Sequence, residues 1–353
     1  MHLLEDDSVN DILINRFDKV YIERHGRLEE TGVVFPSEAD VLAVAKHITE
    51  DAGREFNPKR PLVDARLSDG SRVNVISPPL SVDGTSISIR KFSKQIITLD
   101  KMAEQYNMSP ELAGFLKICG KCHLNVVISG GTGSGKTTLL NAISQHVADN
   151  ERVVTIEDAA ELRLDKPNLV RLETKPAHIH GDPSSEVTIR DLVKNALRMR
   201  PDRIIVGEVR GPEAFDMMQA MNTGHDGSLT TIHANHPRDA LSRIENMINM
   251  ANLNLTLKTI RYQVASAVQL IVQISRQRDG HRRITHVSEV VGMETDTITM
   301  QDLFVFQATG ENADGKIEGV YKWTGIMPRF LRRIAYYGEL DNLSRTLGVR
   351  LHV

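Results

Sequence analysis

Little in this chain points away from an ordinary intracellular globular protein. Among 353 residues there are two cysteines, one tryptophan and six tyrosines. No apolar run approaches the roughly 20 residues a membrane-crossing helix needs. Met1 to Asp7 lack the charged and apolar regions of a secretory signal, which predicts a cytoplasmic chain. They also lead straight into folded-type sequence, so a longer native N-terminus is expected. Charge of neither sign dominates: 43 Lys and Arg against 46 Asp and Glu leave −3, so bulk charge attracts neither nucleic acid nor anionic lipid. The few aromatics offer no evident stacking platform for single strands. Cys119 and Cys122 are spaced C-x-x-C, but two thiolates alone do not complete a tetrahedral zinc site. Their spacing also suits a redox pair; packing is the reading we take, since free cysteine is commonly buried. What is present is 41% apolar residues, enough for ordinary cores, over a length that implies about two domains.

The most informative stretch is Gly130 to Thr138, GGTGSGKTT, which matches G-x-x-x-x-G-K-[ST] at Gly130, Gly135, Lys136 and Thr137. An apolar β-branched run, Asn125 to Ser129, precedes it, and helix-favouring residues, Leu139 to Ser144, follow. Strand, glycine loop and helix form the context of a phosphate site. Backbone N–H groups of Gly131, Thr132, Gly133, Ser134, Gly135 and Thr138 can converge on phosphate, aided by the helix N-terminus. Lys136 is expected at the β/γ-phosphates, and the Thr137 hydroxyl at Mg²⁺.

Taken in order, residues 1–95 read as a small α+β domain. Asp18 to Arg24 alternates like a half-buried strand, His25-Gly26 turns, and Arg27 to Phe35 returns. Ser37 to Asp40 opens a helix with Val41, Leu42, Ala45 and Ile48 on its apolar side. Val63 to Leu67, a turn at Ser68 to Ser71, and Arg72 to Ile76 form a hairpin, with Ser86 to Lys91 a further strand. Arg66, Arg72 and Arg90 therefore lie on neighbouring strands, either as solvated sheet arginines or as a basic face turned toward phosphate. Residues 96–109 are expected as a linker, with a hinge at about 92–98. From 110 to 353 strands alternate with helices, which predicts a largely parallel sheet. The strands are Arg152 to Ile156, Arg203 to Val206 and Ser228 to Ile232. The helices are Ser109 to Lys117, Leu192 to Met199 and Pro237 to Met250. Gln263 to Ile274 is mixed, and the tail from 284 reads as strands ending in a short helix, Pro328 to Tyr336.

Ligands of open α/β sheets bind beyond the carboxyl ends of the strands. Those ends carry Glu157, Glu208 and His233. A phosphatase-type reaction on a nucleotide needs one carboxylate near Mg²⁺ and one to orient or deprotonate water; Glu208 and Glu157 are the candidates, with Mg²⁺ contacts through water. His233 is placed to sense a γ-phosphate, and His225 sits in a glycine-flanked loop. Neither has a third ligand at metal spacing. Arg210 or Arg243 could serve as an arginine finger, within the subunit or from a neighbour.

Four segments together resemble the Walker A, Asp, Walker B and His boxes of the secretion ATPase superfamily, which serves type II and type IV secretion and type IV pili. They are GGTGSGKTT, TIEDAAEL (Thr155 to Leu162), LRMRPDRIIVGEVRG (Leu197 to Gly211) and TGHDGSLTTIHANHP (Thr223 to Pro237). Further segments, SVNDILIN (Ser8 to Asn15), DARLSDGSRVN (Asp64 to Asn74), SIRKF (Ser88 to Phe92) and EVVGMETDTITMQDLF (Glu289 to Phe304), resemble the CpaF/TadA branch, the Tad (tight adherence) pilus motors. The resemblance implies a RecA-like P-loop domain behind a smaller PAS-like α+β domain. It implies a homo-hexameric, Mg²⁺-dependent ATPase at the cytoplasmic face of the bacterial inner membrane, acting on platform proteins there and touching the membrane only through them. It also implies Arg66, Arg72 and Arg90 at the nucleotide. The chain lacks the four-cysteine zinc module of type II motors, in keeping with the Tad branch. The alternatives are a type IV secretion traffic ATPase and a RecA-like nucleic-acid motor using Arg276, Arg278, His281, Arg282 and Arg283. No nucleic acid is expected as a partner.

Overall fold

A computed structural model describes residues 2–24, 26–92, 96–175 and 186–352. The turn residue His25 and the hinge residues Ser93, Lys94 and Gln95 lie outside the described residues. The chain divides into two compact units, Met1–Gln95 and Ile96–Val353.

The smaller unit contains α1 (His2–Glu5), β1 (Val9–Arg16), β2 (Lys19–Arg24), β3 (Arg27–Glu30), α2 (Glu38–Asp51), β4 (Leu62–Arg66), β5 (Arg72–Ile76) and β6 (Ser86–Arg90). Its antiparallel sheet runs β3-β2-β1-β6-β5-β4. Period-two patterning explains it: Val73 and Val75 on β5 and Ile87 and Ile89 on β6 are buried, while their neighbours are less so. Val41 and Ala45 of α2 join the same core. Ser37 stands at the N-cap of α2, but its hydroxyl bonds the Asp40 carboxylate at 2.6 Å rather than a backbone N–H. The expected return strand from Arg27 to Phe35 stops at Glu30.

The larger unit begins with α3 (Leu99–Glu104) and α4 (Pro110–Lys121). Residues 96–109, expected as a linker, belong to it by packing: Leu99, Met102 and Met108 are buried in its core. Thr98 and Ser109 cap the two helices with their hydroxyls, and Pro110 opens the second. Next come β7 (Val126–Ser129), α5 (Lys136–Ser144), β8 (Val153–Glu157), β9 (Leu169–Glu173), α6 (Ile189–Ala196), β10 (Arg203–Val206), α7 (Glu213–Asn222), β11 (Leu229–Ile232) and α8 (Pro237–Asn249). The chain closes with α9 (Leu257–Ala267), β12 (Leu270–Arg276), β13 (Arg282–Glu294), β14 (Thr297–Glu311), β15 (Ile317–Trp323), α10 (Leu331–Tyr336) and α11 (Leu340–Leu347).

Among the described residues these strands form one sheet, β15-β14-β13-β12-β7-β11-β10-β8-β9. Strands β12 to β9 in that order are parallel, and β13 to β15 add an antiparallel meander. The strands β7, β8, β10 and β11 are buried at every position, as a sheet covered on both faces requires. The core around Phe115 and Leu139 covers one face, and that around Met217, Ile244 and Val264 the other. Cys119 and Cys122 are both fully buried in the first, and burial holds both thiols above their usual range. The mixed stretch Gln263 to Ile274 resolves into the end of α9 and most of β12, which meet at Val268-Gln269. Helix α11, with Leu343 facing inward, follows the predicted short C-terminal helix.

The amino ends of the strands are held by polar clips. Asn125 accepts from Gly227 and Ser228 N–H and donates to the Met221 and Ala267 carbonyls. Arg203, fully buried, forms a two-pronged pair with Glu151: Nε to Oε2 at 2.5 Å and Nη2 to Oε1 at 3.0 Å. Burial raises the Glu151 carboxyl, but bonds from His123 and Arg203 outweigh it and bring it down to about 2. Replacing Arg203 by Met leaves that carboxylate buried without its partner. We expect a loss of roughly 3–5 kcal/mol in urea unfolding at neutral pH. The unfolded carboxyl titrates near 4.5 and the folded one near 2, so the pair stabilises above about pH 4.5. The deficit of R203M relative to wild type should therefore shrink as pH falls through that window.

Candidate functional site

The carboxyl ends of four adjacent strands carry the groups picked out in the sequence. Ser129 closes β7, Ile232 closes β11 beside it, Val206 closes β10, and Glu157 closes β8. The glycine loop leaves β7 and enters α5 at Lys136. Gly135 has φ +97°, a left-handed conformation that side chains resist. A Cβ at Gly130 would run into the Ile274 carbonyl of β12, so the loop start must be glycine for lack of room.

Within the loop the Gly131 carbonyl is a hub. It accepts from Lys136 Nζ at 2.9 Å, from Ser134 Oγ at 2.8 Å and from Ser134 N–H. These are the donors an incoming oxyanion would compete for. Thr137 and Thr138 open the helix, and Thr132 at the loop tip is exposed.

Lys136 also approaches His233, with Nζ 3.4 Å from Nδ1 and 3.5 Å from Nε2. His233 Nε2 lies 2.7 Å from Glu208 Oε1, and Arg210 Nη2 lies 2.6 Å from Glu208 Oε2. A neutral ring can accept from the ammonium, while the approach to Glu208 Oε1 lacks hydrogen-bond geometry and leaves that buried oxygen without a hydrogen-bond partner. The electrostatics agree: burial, then the Lys136 charge, lowers the His233 pKa. Burial also lowers that of Lys136, opposed by Glu208. Arg210 reaches on to Asp158 at 3.6 Å, so a carboxylate next to Glu157 joins the cluster. Arg210, Asp158 and Glu213 line a cavity of about 380 Å³ at this edge.

Glu157 is buried beside Gly207 rather than in contact with Lys136. Its Oε1 accepts the N–H groups of Glu161 and Leu162, each at 3.0 Å. Burial raises its carboxyl to about 7, against those two bonds. Arg243, on the exposed side of α8, acts on His233 through its field. His225 is a correction. It precedes β11 and so stands at the amino edge of the sheet, roughly 13 Å of strand away from His233. There its carbonyl accepts from Ser228 Oγ; the short parallel strand β11 lies between it and His233.

In the smaller unit Arg66 stands opposite Arg72, Arg72 opposite Arg90, and Arg90 opposite Asp11. Three cations in one cross-strand row repel one another; Asp11 answers Arg90 at 3.2 Å. The arginines of the 276–283 turn are dispersed. Arg283 is buried and bonded to Gln277, Asp279 and the Ile317 carbonyl. Arg278 pairs with Glu311 at 2.7 Å. Arg282 instead donates from Nε to the Gly133 carbonyl of the glycine loop at 2.9 Å. Sequence reasoning missed Asp158 and this role of Arg282. The first was visible as the acid after Glu157; the second had no local signal.

Thr137 and Glu208 offer hard oxygen donors of the kind Mg²⁺ takes alongside phosphate oxygens. Among the described residues no group of three or more His, Cys, Asp or Glu forms an all-protein metal cage. No helix of the described residues is long and apolar enough to cross a membrane.

The family model described as "Type II/IV secretion system protein" matches residues 1–318. The chain is 36% identical over 292 residues to the "Putative conjugal transfer protein MT3759" of Mycobacterium tuberculosis strain CDC 1551, covering 81% of this chain and 82% of the relative. It is 37% identical over 298 residues to the "Conjugal transfer protein TrbB" of Rhizobium radiobacter, covering 82% and 85%. In fold it is similar to the pilus retraction motor PilT solved with bound ADP, with a TM-score of 0.56, 18% identity, and 97% and 87% of the chains covered.

A pH-dependent stability test follows from the geometry. Glu157 titrates near 7 folded against 4.5 unfolded. Its ionisation therefore costs nothing below about pH 4.5, and the cost grows until pH passes about 7. The E157Q variant should melt higher than wild type at pH 8, by on the order of 1–3 kcal/mol, and equally at pH 4. Calorimetry at the two pH values checks it.

Proposed function

Because the chain belongs to the type II/IV secretion system ATPase family, we propose that it is the hexameric ATPase motor of a Tad-type pilus, working on platform proteins at the cytoplasmic face of the inner membrane. The observation that carries the ATPase reading is the chain of contacts from the glycine loop through Lys136 and His233 to Glu208 and Arg210. Lys136 holds the β/γ-phosphates, with the loop N–H groups around them. Thr137 and Glu208 would hold Mg²⁺, which would supply charge neutralisation for the phosphates. Glu208, held by Arg210 and close to His233, orients the attacking water. The water oxygen bonds to the γ-phosphorus as the bond to the β–γ bridging oxygen breaks, and ADP leaves. Glu157, poised near pH 7, is the acceptor for the water's proton. His233 registers the γ-phosphate because Lys136, its neighbour, must turn toward it. Arg210 and Arg243 are the candidates for charge stabilisation within the ring or across subunits. Arg66, Arg72 and Arg90 form a cationic row suited to phosphate.

The Tad reading rests on the segments named in the sequence. A type IV secretion traffic ATPase is supported at least as well, by relatives that carry conjugal-transfer names. The nucleic-acid reading loses support, since Arg283 and Arg278 are engaged within the protein.

Mass in solution, with and without a non-hydrolysable ATP analogue, tests the assembly. A nucleotide-supported hexamer is expected, and a monomer that binds ATP would remove it. K136A should abolish ATPase activity, and normal turnover by K136A would remove the site. E208Q should retain ATP binding and lose roughly 10²–10⁴-fold in turnover. Pilus display against cargo export in a deletion strain separates the two physiological readings.

A further inference from the structure

The turn that joins β12 to β13 closes over the glycine loop from the side opposite His233. On its incoming strand, the Ile274 carbonyl occupies the space a side chain at Gly130 would need. On its outgoing strand, Arg282 crosses the loop tip: Nε donates to the Gly133 carbonyl at 2.9 Å, and Cδ lies 3.4 Å from where a Cβ on Gly135 would stand. Arg282 is in turn braced. Its own carbonyl accepts from Asn107 Nδ2 at 2.6 Å, and the Asn107 carbonyl accepts from Ile284 N–H at 2.9 Å. The asparagine, 9% exposed, clamps the start of β13 from the Arg282 carbonyl to the Ile284 N–H, one bond on each side of Arg283.

Resting on the reading of the glycine loop as the ATP site, we propose that Arg282 is a positioning residue for nucleotide. It acts through the Gly133–Ser134 peptide. A cation bonded to the carbonyl of a peptide polarises that peptide, so its N–H becomes a stronger donor. Here that N–H belongs to Ser134; it donates to the Gly131 carbonyl at 3.4 Å, a bond an incoming oxyanion would compete for. The guanidinium also adds positive charge beside the loop, and charge-assisted bonds of this kind exceed neutral ones. Asn107, between α3 and α4, holds the strand start that carries the arginine, so this segment supports the affinity of the loop.

The test is ADP binding by calorimetry, with ATPase KM and kcat, for wild type, R282Q, R282K, N107A and K136A. R282Q should weaken ADP about tenfold, the scale of one charge-assisted bond. Its loss should fall on KM more than on kcat. R282K, which keeps the charge without the fork, should recover part of it. N107A should weaken ADP in the same direction by about threefold. A folded R282Q with wild-type ADP affinity overturns the proposal. If R282Q does not fold, N107A decides: weakened ADP supports it and unchanged ADP overturns it. K136A separates the two claims. Wild type that binds ADP no better than K136A removes the loop as the nucleotide site. Loss in K136A with none in R282Q removes only the role of Arg282.

Discussion

Strand β7 is paired on both sides in parallel, with β11 at one edge and β12 at the other. That pairing is the constraint on which the site depends. A strand so placed delivers its following loop to the carboxyl edge of the sheet, where every parallel neighbour also ends. Register then decides which side chains meet: Ile232 is level with Ser129, and Gln273 is level with it on the other side. His233 must therefore arise next to the start of the glycine loop, and the turn after β12 must pass over it. The Ala234 carbonyl, held by Gln273 Nε2 at 3.2 Å, keeps the segment after His233 in place.

The charges at this edge are coupled rather than independent. Lys136 and His233 are both moved toward their neutral forms by burial, while Glu208 opposes this on each. Arg210 restrains Glu208 from the far side. An anion arriving at the loop would draw Lys136 away from His233 and change what Glu208 faces. A site built this way converts the presence of a phosphate into a rearrangement of a carboxylate. Glu157 contributes differently, since its carboxyl is buried against Gly207 and burial raises its pKa to about 7.

The amino edge of the same sheet has the opposite chemistry. Arg203 and His123 satisfy Glu151 there, and Asn125 satisfies backbone groups of Gly227, Ser228, Met221 and Ala267, with Arg333 of α10 bonded to Asp226 and the His123 carbonyl. Polar groups that close their own bonds stabilise, whereas those at the carboxyl edge remain available to a ligand. The position of His225 at the stabilising edge, with only the seven residues Asp226 to Ile232 between it and His233, shows how one short parallel strand separates the two roles.

By itself the sequence determined the glycine loop, the run of buried strands, the acids and histidine at their ends, and the family. Each of these is local: a strand's burial is written in consecutive β-branched residues, and a phosphate loop in glycine spacing. The cross-strand row of Arg66, Arg72 and Arg90 was also legible, because a hairpin brings near neighbours together. Tertiary structure alone decided the rest. Residues 96–109 read as a linker until Leu99, Met102 and Met108 found a core to fill. Arg282 read as one charge in a basic turn until antiparallel pairing of β13 with β12 carried it 149 residues along the chain to Gly133. Contacts between distant segments depend on sheet order and register, which no local pattern of residues encodes.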